Sequence, residues 1–336
     1  MKLLFICLVL LIEGKVDFND IFKLKETVTL RAESLLINPP FDECHKIDSK
    51  GNHWIVDNVN MQLLKFSPEG KLLKIIGREG RGPKEFKFPS SIYIDNNDRV
   101  YVADLGNRRI SIFDNDGKFL DSFIPFNECH VVRVDYDGNI YVGGVGLSHL
   151  IGKYDPKGRH KKSFYPTKRI EMELRMGIPI VMDIGKIKEK EYIYVMHVSD
   201  AMISIFNLNG KKRRTFFHYP PSYKPFASPG RMLSSDEAWK FWKKIHEESI
   251  EPLNLVTTSN GYLFAVFRVP KPKSCIIDIY DAEGNLLIEN IKSERFLICT
   301  DKDNCLWFSP PFGTGRKIGE LTYEKYSFHI PTNISE

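Results

Sequence analysis

The chain has 336 residues, 42% hydrophobic and 12% aromatic, so it can bury a large core, and its length alone would allow one or two domains. Its net charge of +5 with 27% charged residues is a mildly basic mixture, too weak to imply a nucleic-acid partner, and none is expected.

Met1 and Lys2 precede an apolar run, Leu3–Ile12. A positive start and a short hydrophobic region are those of a secretory signal peptide, expected over residues 1–14, and the run is too short to span a bilayer as a helix. No small-x-small cleavage site precedes Gly14, and Phe5-Ile6 stand before Cys7 where a lipoprotein site needs small residues. The expected location is extracytoplasmic (periplasmic, cell-surface or secreted), with N-terminal membrane anchoring as a variant of it. The structural alternative for the run is an apolar N-terminal strand.

Residues Phe18–Ile37 alternate in part like strands. A first group of short runs spans about Phe41–Ile76, ending in Lys71–Ile76. A glycine-rich stretch then leads into Phe88–Ile94, Val100–Ala103, Ile110–Phe113 and Phe119–Phe123, each β-branched or aromatic and bounded by turn residues. Four successive strands make one sheet. Cys129–Phe164 and about Ile178–Phe217 continue the pattern, which breaks in the proline-rich stretch from His218 to Gly230. There Ser234 and Glu237 form a capping-box pair, Ala238, Phe241, Trp242, Ile245 and Ser249 fall at helical spacing with Trp239 beside them, and Pro252 is expected to end the helix. Strand-like groups resume at Tyr262–Asn290 and Phe296–Tyr323, and the tail Tyr326–Ile330 reads as a strand.

These groups are copies of one unit. Gly51-Asn-His-Trp-Ile-Val-Asp57 matches Asp98-Arg-Val-Tyr-Val-Ala-Asp104 and Gly138-Asn-Ile-Tyr-Val-Gly-Gly144, with weaker copies at Tyr192–His197, Gly261–Phe267 and Asn304–Pro310. An aromatic, a polar turn and a glycine follow most of them, as in Phe113-Asp-Asn-Asp-Gly117 and Tyr154-Asp-Pro-Lys-Gly158. The period of roughly 40–50 residues is that of a four-stranded propeller blade. About six copies are present.

Gly-x-Glu-Gly-x-Gly-Pro-x-Glu-Phe at Gly77–Phe86, then Pro89, Tyr101-Val-Ala-Asp104, Asn107-Arg-Arg-Ile110, Phe113 and Gly117, resembles an NHL repeat. More broadly the chain resembles the six-bladed β-propeller family of bacterial secreted proteins and lipoproteins. The resemblance implies an all-β, six-bladed β-propeller over residues 18–332, with a helical insertion at 218–255 between blades four and five. In such a ring Val28–Leu30 or Leu35–Ile37 would complete the last blade and remove a free edge.

Several constellations are candidate sites. Gly77–Phe86 leads into a strand, whereas a phosphate-binding loop needs a helix N-terminus directly after its glycines, so it reads as a connection between blades. Arg78 and Arg81 would carry its charge on the pocket-bearing face. Asp57/Asn60 and Asp104/Asn107 share an Asp-x-x-Asn spacing and are expected to hydrogen-bond the turn backbone. Pro40-Phe41-Asp42-Glu43-Cys44-His45 is echoed by Pro125-Phe126-Asn127-Glu128-Cys129-His130, each where an innermost strand should begin. Cys44, His45, Cys129 and His130 are therefore candidate ligands for a divalent metal ion, with Glu43 and Glu128 behind them. The competing reading is repeat divergence, with cysteine as a small apolar residue. Cys299 and Cys305 flank a turn, and two separate thiols are favoured over a disulfide. Lys157–Lys162 and Lys211–Arg214 fall on outer strands, where basic residues discourage edge pairing.

The function expected from these features is non-catalytic binding of a protein, peptide or glycan by a monomer. Pocket-face candidates are His45, Arg78, Arg81, His130, His197, Trp239 and Trp242. The alternative is a metal-dependent propeller enzyme of lactonase or lyase type, implied by the resemblance, with the ion in the central channel.

Overall fold

The computed structural model describes residues 16–32, 42–146, 148–168, 180–227, 229–271, 273–309 and 320–331. The expected signal peptide and the candidate closing strand Leu35–Ile37 lie outside them. A one-turn helix α1 (Phe18–Ile21) leads into β1 (Phe22–Arg31). Five consecutive antiparallel sheets follow, each a meander of four strands. They comprise β2 (His45–Ile47), β3 (His53–Asp57), β4 (Gln62–Phe66) and β5 (Leu72–Ile76), then β6 (Pro89–Ile94), β7 (Val100–Asp104), β8 (Arg109–Phe113) and β9 (Phe119–Phe123). Next come β10 (Val131–Val134), β11 (Ile140–Gly143), β12 (His149–Tyr154) and β13 (His160–Pro166), followed by β14 (Ile180–Ile187), β15 (Lys190–His197), β16 (Ile203–Asn207) and β17 (Lys212–Phe216). After helix α2 (Ser235–Glu248) the fifth sheet holds β18 (Glu251–Thr257), β19 (Tyr262–Val269), β20 (Ser274–Asp281) and β21 (Leu286–Ser293).

The sixth sheet has β22 (Phe296–Thr300), β23 (Leu306–Ser309), β24 (Glu320–Phe328) and, outermost, β1. Val28–Leu30 thus lies in the strand that completes the ring, pairing with Leu321–Tyr323. Counting from the sheet that holds this first strand, α2 falls between blades five and six. The four-and-five numbering expected from sequence shifts by one, because the N-terminal strand belongs to the closing blade. β2, β6, β10, β14, β18 and β22 neighbour one another around the ring and form its inner wall.

Burial follows position. β3, β7 and β11 are buried along their whole length, sandwiched between neighbouring blades, whereas the outer strand β17 exposes Lys212, Arg213 and Arg214. The glycine after each aromatic turn packs beneath the preceding blade. At Gly158 (φ +72°) an added Cβ would meet the Phe123 ring at 2.5 Å, and at Gly210 the Phe164 ring at 2.5 Å. A side chain there would both strain the turn and force two blades apart.

Because strands alternate in direction, hairpins alternate between the two ends of the ring. The turns from first to second and from third to fourth strand form one end. The turns from second to third strand share the other with the longer connections between blades, and that is the loop end. Helix α2 belongs to it. Ser234 accepts from the Glu237 backbone N–H and Glu237 accepts from Ser234 N–H at 2.9 Å, the expected capping box. Ala238, Phe241, Trp242 and Ile245 pack against Val198, Phe226 and Leu233. The helix stops at Ser249, before Pro252, which lies inside β18 at a register irregularity where no ladder N–H is needed.

Candidate functional site

Each innermost strand carries one residue opposite the repeat's aromatic. Lys46 pairs with Trp54, Tyr93 with Tyr101, Arg133 with Tyr141, Asp183 with Tyr194, Val256 with Phe264 and Cys299 with Trp307. These six equivalent positions, one per blade, sit around the axis. Three of them carry a charge, Lys46, Arg133 and Asp183, whereas Val256 and Cys299 are core residues.

Arg133 is fully buried and organises this ring. Its Nη1 and Nη2 donate to Glu43 at 2.8 and 2.7 Å, and its Nε donates to Asp183 Oδ1 at 2.9 Å. Glu43 lies in the short 3-10 turn before β2, so the guanidinium reaches two blades round the ring. Asp183 Oδ2 accepts from the backbone N–H and hydroxyl of Thr257 at 2.8 and 2.9 Å. Thr300 Oγ1 donates to the Thr257 carbonyl, and Ser91 Oγ donates to Glu43. Every blade therefore contributes to one polar network. Burial pushes the Glu43 carboxyl up, but the Arg133 and Lys46 charges outweigh it and hold it below the usual carboxylate value. Burial pulls Arg133 down, and Glu43 with Asp183 push it up further. The Arg133 guanidinium is fully buried between its two carboxylate partners, whose side chains are 12% and 16% exposed.

The two Cys-His pairs do not converge. Cys44 packs with Trp54, Val56 and Phe86, its thiol donating to the Ser90 carbonyl at 3.6 Å, while Cys129 packs in a separate cluster with Tyr101 and Val132 and donates to the Asp104 carbonyl at 3.3 Å. Adjacent residues project to opposite faces, so His45 turns instead toward the closing blade. Its Nε2 lies 3.0 Å from His53 Nδ1, and its ring lies 4.3 Å from that of Tyr323, tilted by 35°. Glu43, expected behind the metal, is held by Arg133. His130 Nε2 lies 3.1 Å from Glu128, and His197 Nδ1 lies 2.8 Å from Ser199 Oγ. Among the described residues no three His, Cys, Asp or Glu side chains are gathered as a metal ion requires. Cys299 and Cys305 are separate thiols, since Cys299 opposes Trp307 in register.

Comparison with known proteins agrees with this architecture. A family model described as a 6-bladed beta-propeller (DUF5128) matches residues 14–150. Human NHL repeat-containing protein 3 is 34% identical over 148 residues, which are 40% of this chain and 41% of that protein. The chain is a six-bladed propeller, similar over the matched stretches to an NHL-repeat protein. The matched stretch spans well under half of the human relative. A Bacteroides fragilis protein provisionally described as exported superposes with a TM-score of 0.65 at 14% identity, covering 94% of this chain and 98% of that one. A Xanthomonas campestris protein described as a gluconolactonase superposes with a TM-score of 0.53 at 12% identity, covering 91% and 99%. Identities this low show the shared fold alone.

The remaining sequence-predicted residues of the propeller lie on its loop end. Arg78 pairs with Glu85 at 2.9 Å with its side chain 80% exposed, and Arg81 is exposed beside it. Their glycine-rich stretch is the connection from β5 to β6, held by Arg109, which donates to the carbonyls of Arg81, Gly82 and Glu85. Asp104 and Asn107 brace the same loop, Asp104 accepting from the Phe88 N–H at 2.9 Å and Asn107 donating to the Gly80 carbonyl. Trp239 is 63% exposed, with the Lys243 ammonium 5.4 Å from its ring, while Trp242 is half-buried against Phe226. His45, His130 and His197 are buried, so the accessible members of the set are the two arginines and Trp239. Among the described residues no helix is long and apolar enough to cross a membrane.

Sequence reasoning missed the axial triad. A signal existed: Arg133 and Asp183 are lone charges inside apolar innermost runs, each opposite the repeat's aromatic.

Proposed function

We propose that this propeller is a non-catalytic binding module acting outside the cytoplasm, holding a protein, peptide or glycan on its loop end. The observation that carries the reading is the commitment of the axial acids. Glu43 and Asp183, the carboxylates that hydrolysis in the channel would draw on, are tied to Arg133 at 2.7 and 2.9 Å and are not poised as general bases or metal ligands. Arg78, Arg81 and Trp239 supply cationic and aromatic contacts of the kind that anchor recognition surfaces. The extracytoplasmic setting draws on the apolar N-terminal run and on the likeness to the Bacteroides protein.

A metal-dependent lactonase- or lyase-like enzyme is the second reading, supported by likeness of fold to the gluconolactonase. His130 with Glu128 offers it two donors, one short of the three protein ligands of a usual catalytic zinc site. Offering the purified protein glucono-1,5-lactone with and without divalent cations separates the two. Hydrolysis no faster than buffer is expected; a rate that vanishes in Asp183→Asn or His130→Ala would sink the binding reading. A photocrosslinker at position 239 should capture a ligand from the envelope fraction, and Arg81→Glu should weaken that capture.

A further inference from the structure

The end of the ring opposite the loops breaks the repeat at one place. Where β2–β3, β6–β7, β10–β11, β18–β19 and β22–β23 join, the turn opens on Asp48, Asp95, Asp135, Thr258 or Asp301, whose backbone N–H donates to the carbonyl four residues on. The β14–β15 hairpin runs on past that point, with both strands eight residues long and pairing continuing to Ile187–Lys190. It projects beyond its neighbours, and a cleft of about 580 Å³ opens between it and the turns at Tyr136 and Asn207.

The wall of that cleft is as unusual as its shape. The residue after the turn's first position is Ser49, Asn96, Ser259 or Lys302 in the other blades, but here it is Tyr136, 70% exposed. Glu191 reaches from the hairpin to accept the Tyr136 backbone N–H at 2.9 Å, which ties the turn that carries the ring to the rim of the cleft. Tyr192 gives a second aromatic, braced by the Arg213 guanidinium 5.5 Å from its ring. Asn207 spends its side-chain oxygen on its own turn, accepting from Asn209 and Lys211, so its –NH2 is the group left for a ligand. Lys186 and Lys190 line the same cleft.

We propose that this cleft is a saccharide-binding site, Tyr136 stacking on a sugar ring and Asn207, Lys186 and Lys190 bonding its hydroxyls. An exposed aromatic beside amide and ammonium donors matches the two surfaces of a pyranose, an apolar C–H face and a polar rim. An apolar ligand would leave those donors unpaired, and a free anion would leave Tyr136 without a role. The site is independent of the loop-end reading, being at the other end of the ring.

The test is calorimetric titration of the intact protein with maltohexaose, cellohexaose, xylohexaose, chitohexaose and α-1,6-mannohexaose, repeated with Tyr136→Ala, Lys190→Ala and Asn96→Ala. At least one sugar should bind saturably, with affinity falling about tenfold in Tyr136→Ala, as truncation of an anchoring aromatic does, and by less in Lys190→Ala. Asn96→Ala, at the matching place in another blade, should bind as the parent does. Unchanged thermal melts establish that the exposed substitutions leave the fold intact. Binding of no sugar in the panel, or binding that Tyr136→Ala leaves unaltered, overturns the proposal. Neither result bears on the loop end.

Discussion

Arg133 pairs two carboxylates at the axis, and its removal would leave Glu43 buried without its countercharge and Asp183 held by Thr257 alone. Arg133→Met is therefore expected to lose ~3–5 kcal/mol of stability, measured by urea unfolding, because an uncompensated buried charge costs more than the pair contributes. The triple variant with Glu43→Gln and Asp183→Asn should recover much of that loss. If the single variant unfolds with the parent's midpoint, the axial network is not what fixes the six inner strands. The His45–His53 pair sets a different limit. Both rings are fully buried, and burial, with the neighbouring ring acting on His45, holds them neutral, His53 down to about 4 from an ordinary 6.5. The unfolded chain then binds more protons than the folded one between those values. Stability complete above pH 6.5 is lost as the pH falls toward about 4, and His53→Gln should flatten that fall in a series of urea midpoints.

Helix α2 is an element whose stability comes from one face and one cap. Four side chains pack on Val198, Phe226 and Leu233, and Ser234 satisfies a backbone N–H that the first turn leaves over. Ser234→Ala is expected to weaken the helix by ~1 kcal/mol, read as faster amide exchange in Ser235–Glu248 with the blades' exchange unchanged. The cap, the apolar stripe and the Asx-type turns at Asp57 and Asp104 were legible in the sequence because each is decided within a few residues. Trp239 was placed beside the stripe and is found outside it, next to Lys243.

The ring itself was legible because a period repeated about six times averages out local ambiguity. Relations across the ring were not. Glu43, Arg133 and Asp183 lie in three blades, and each alone reads as a charge misplaced in a strand; only the closed geometry pairs them. The Cys-His pairs failed for the opposite reason, since adjacency in sequence suggested joint ligation while strand alternation separates the two side chains. Closure also carries a whole-molecule prediction. A chain beginning after Arg31 leaves β24 as an open edge and uncovers Tyr323 and Leu321, so it should elute as larger oligomers on size exclusion than the chain that keeps β1.

That same first-to-last pairing sets an order of events during synthesis. β1 leaves the ribosome before five whole sheets, whereas the strand it pairs with along its length, β24, follows them. Until β24 emerges the ladder of β1 stays open along most of its length, which makes closure slow and leaves that strand exposed longer than those paired within one meander.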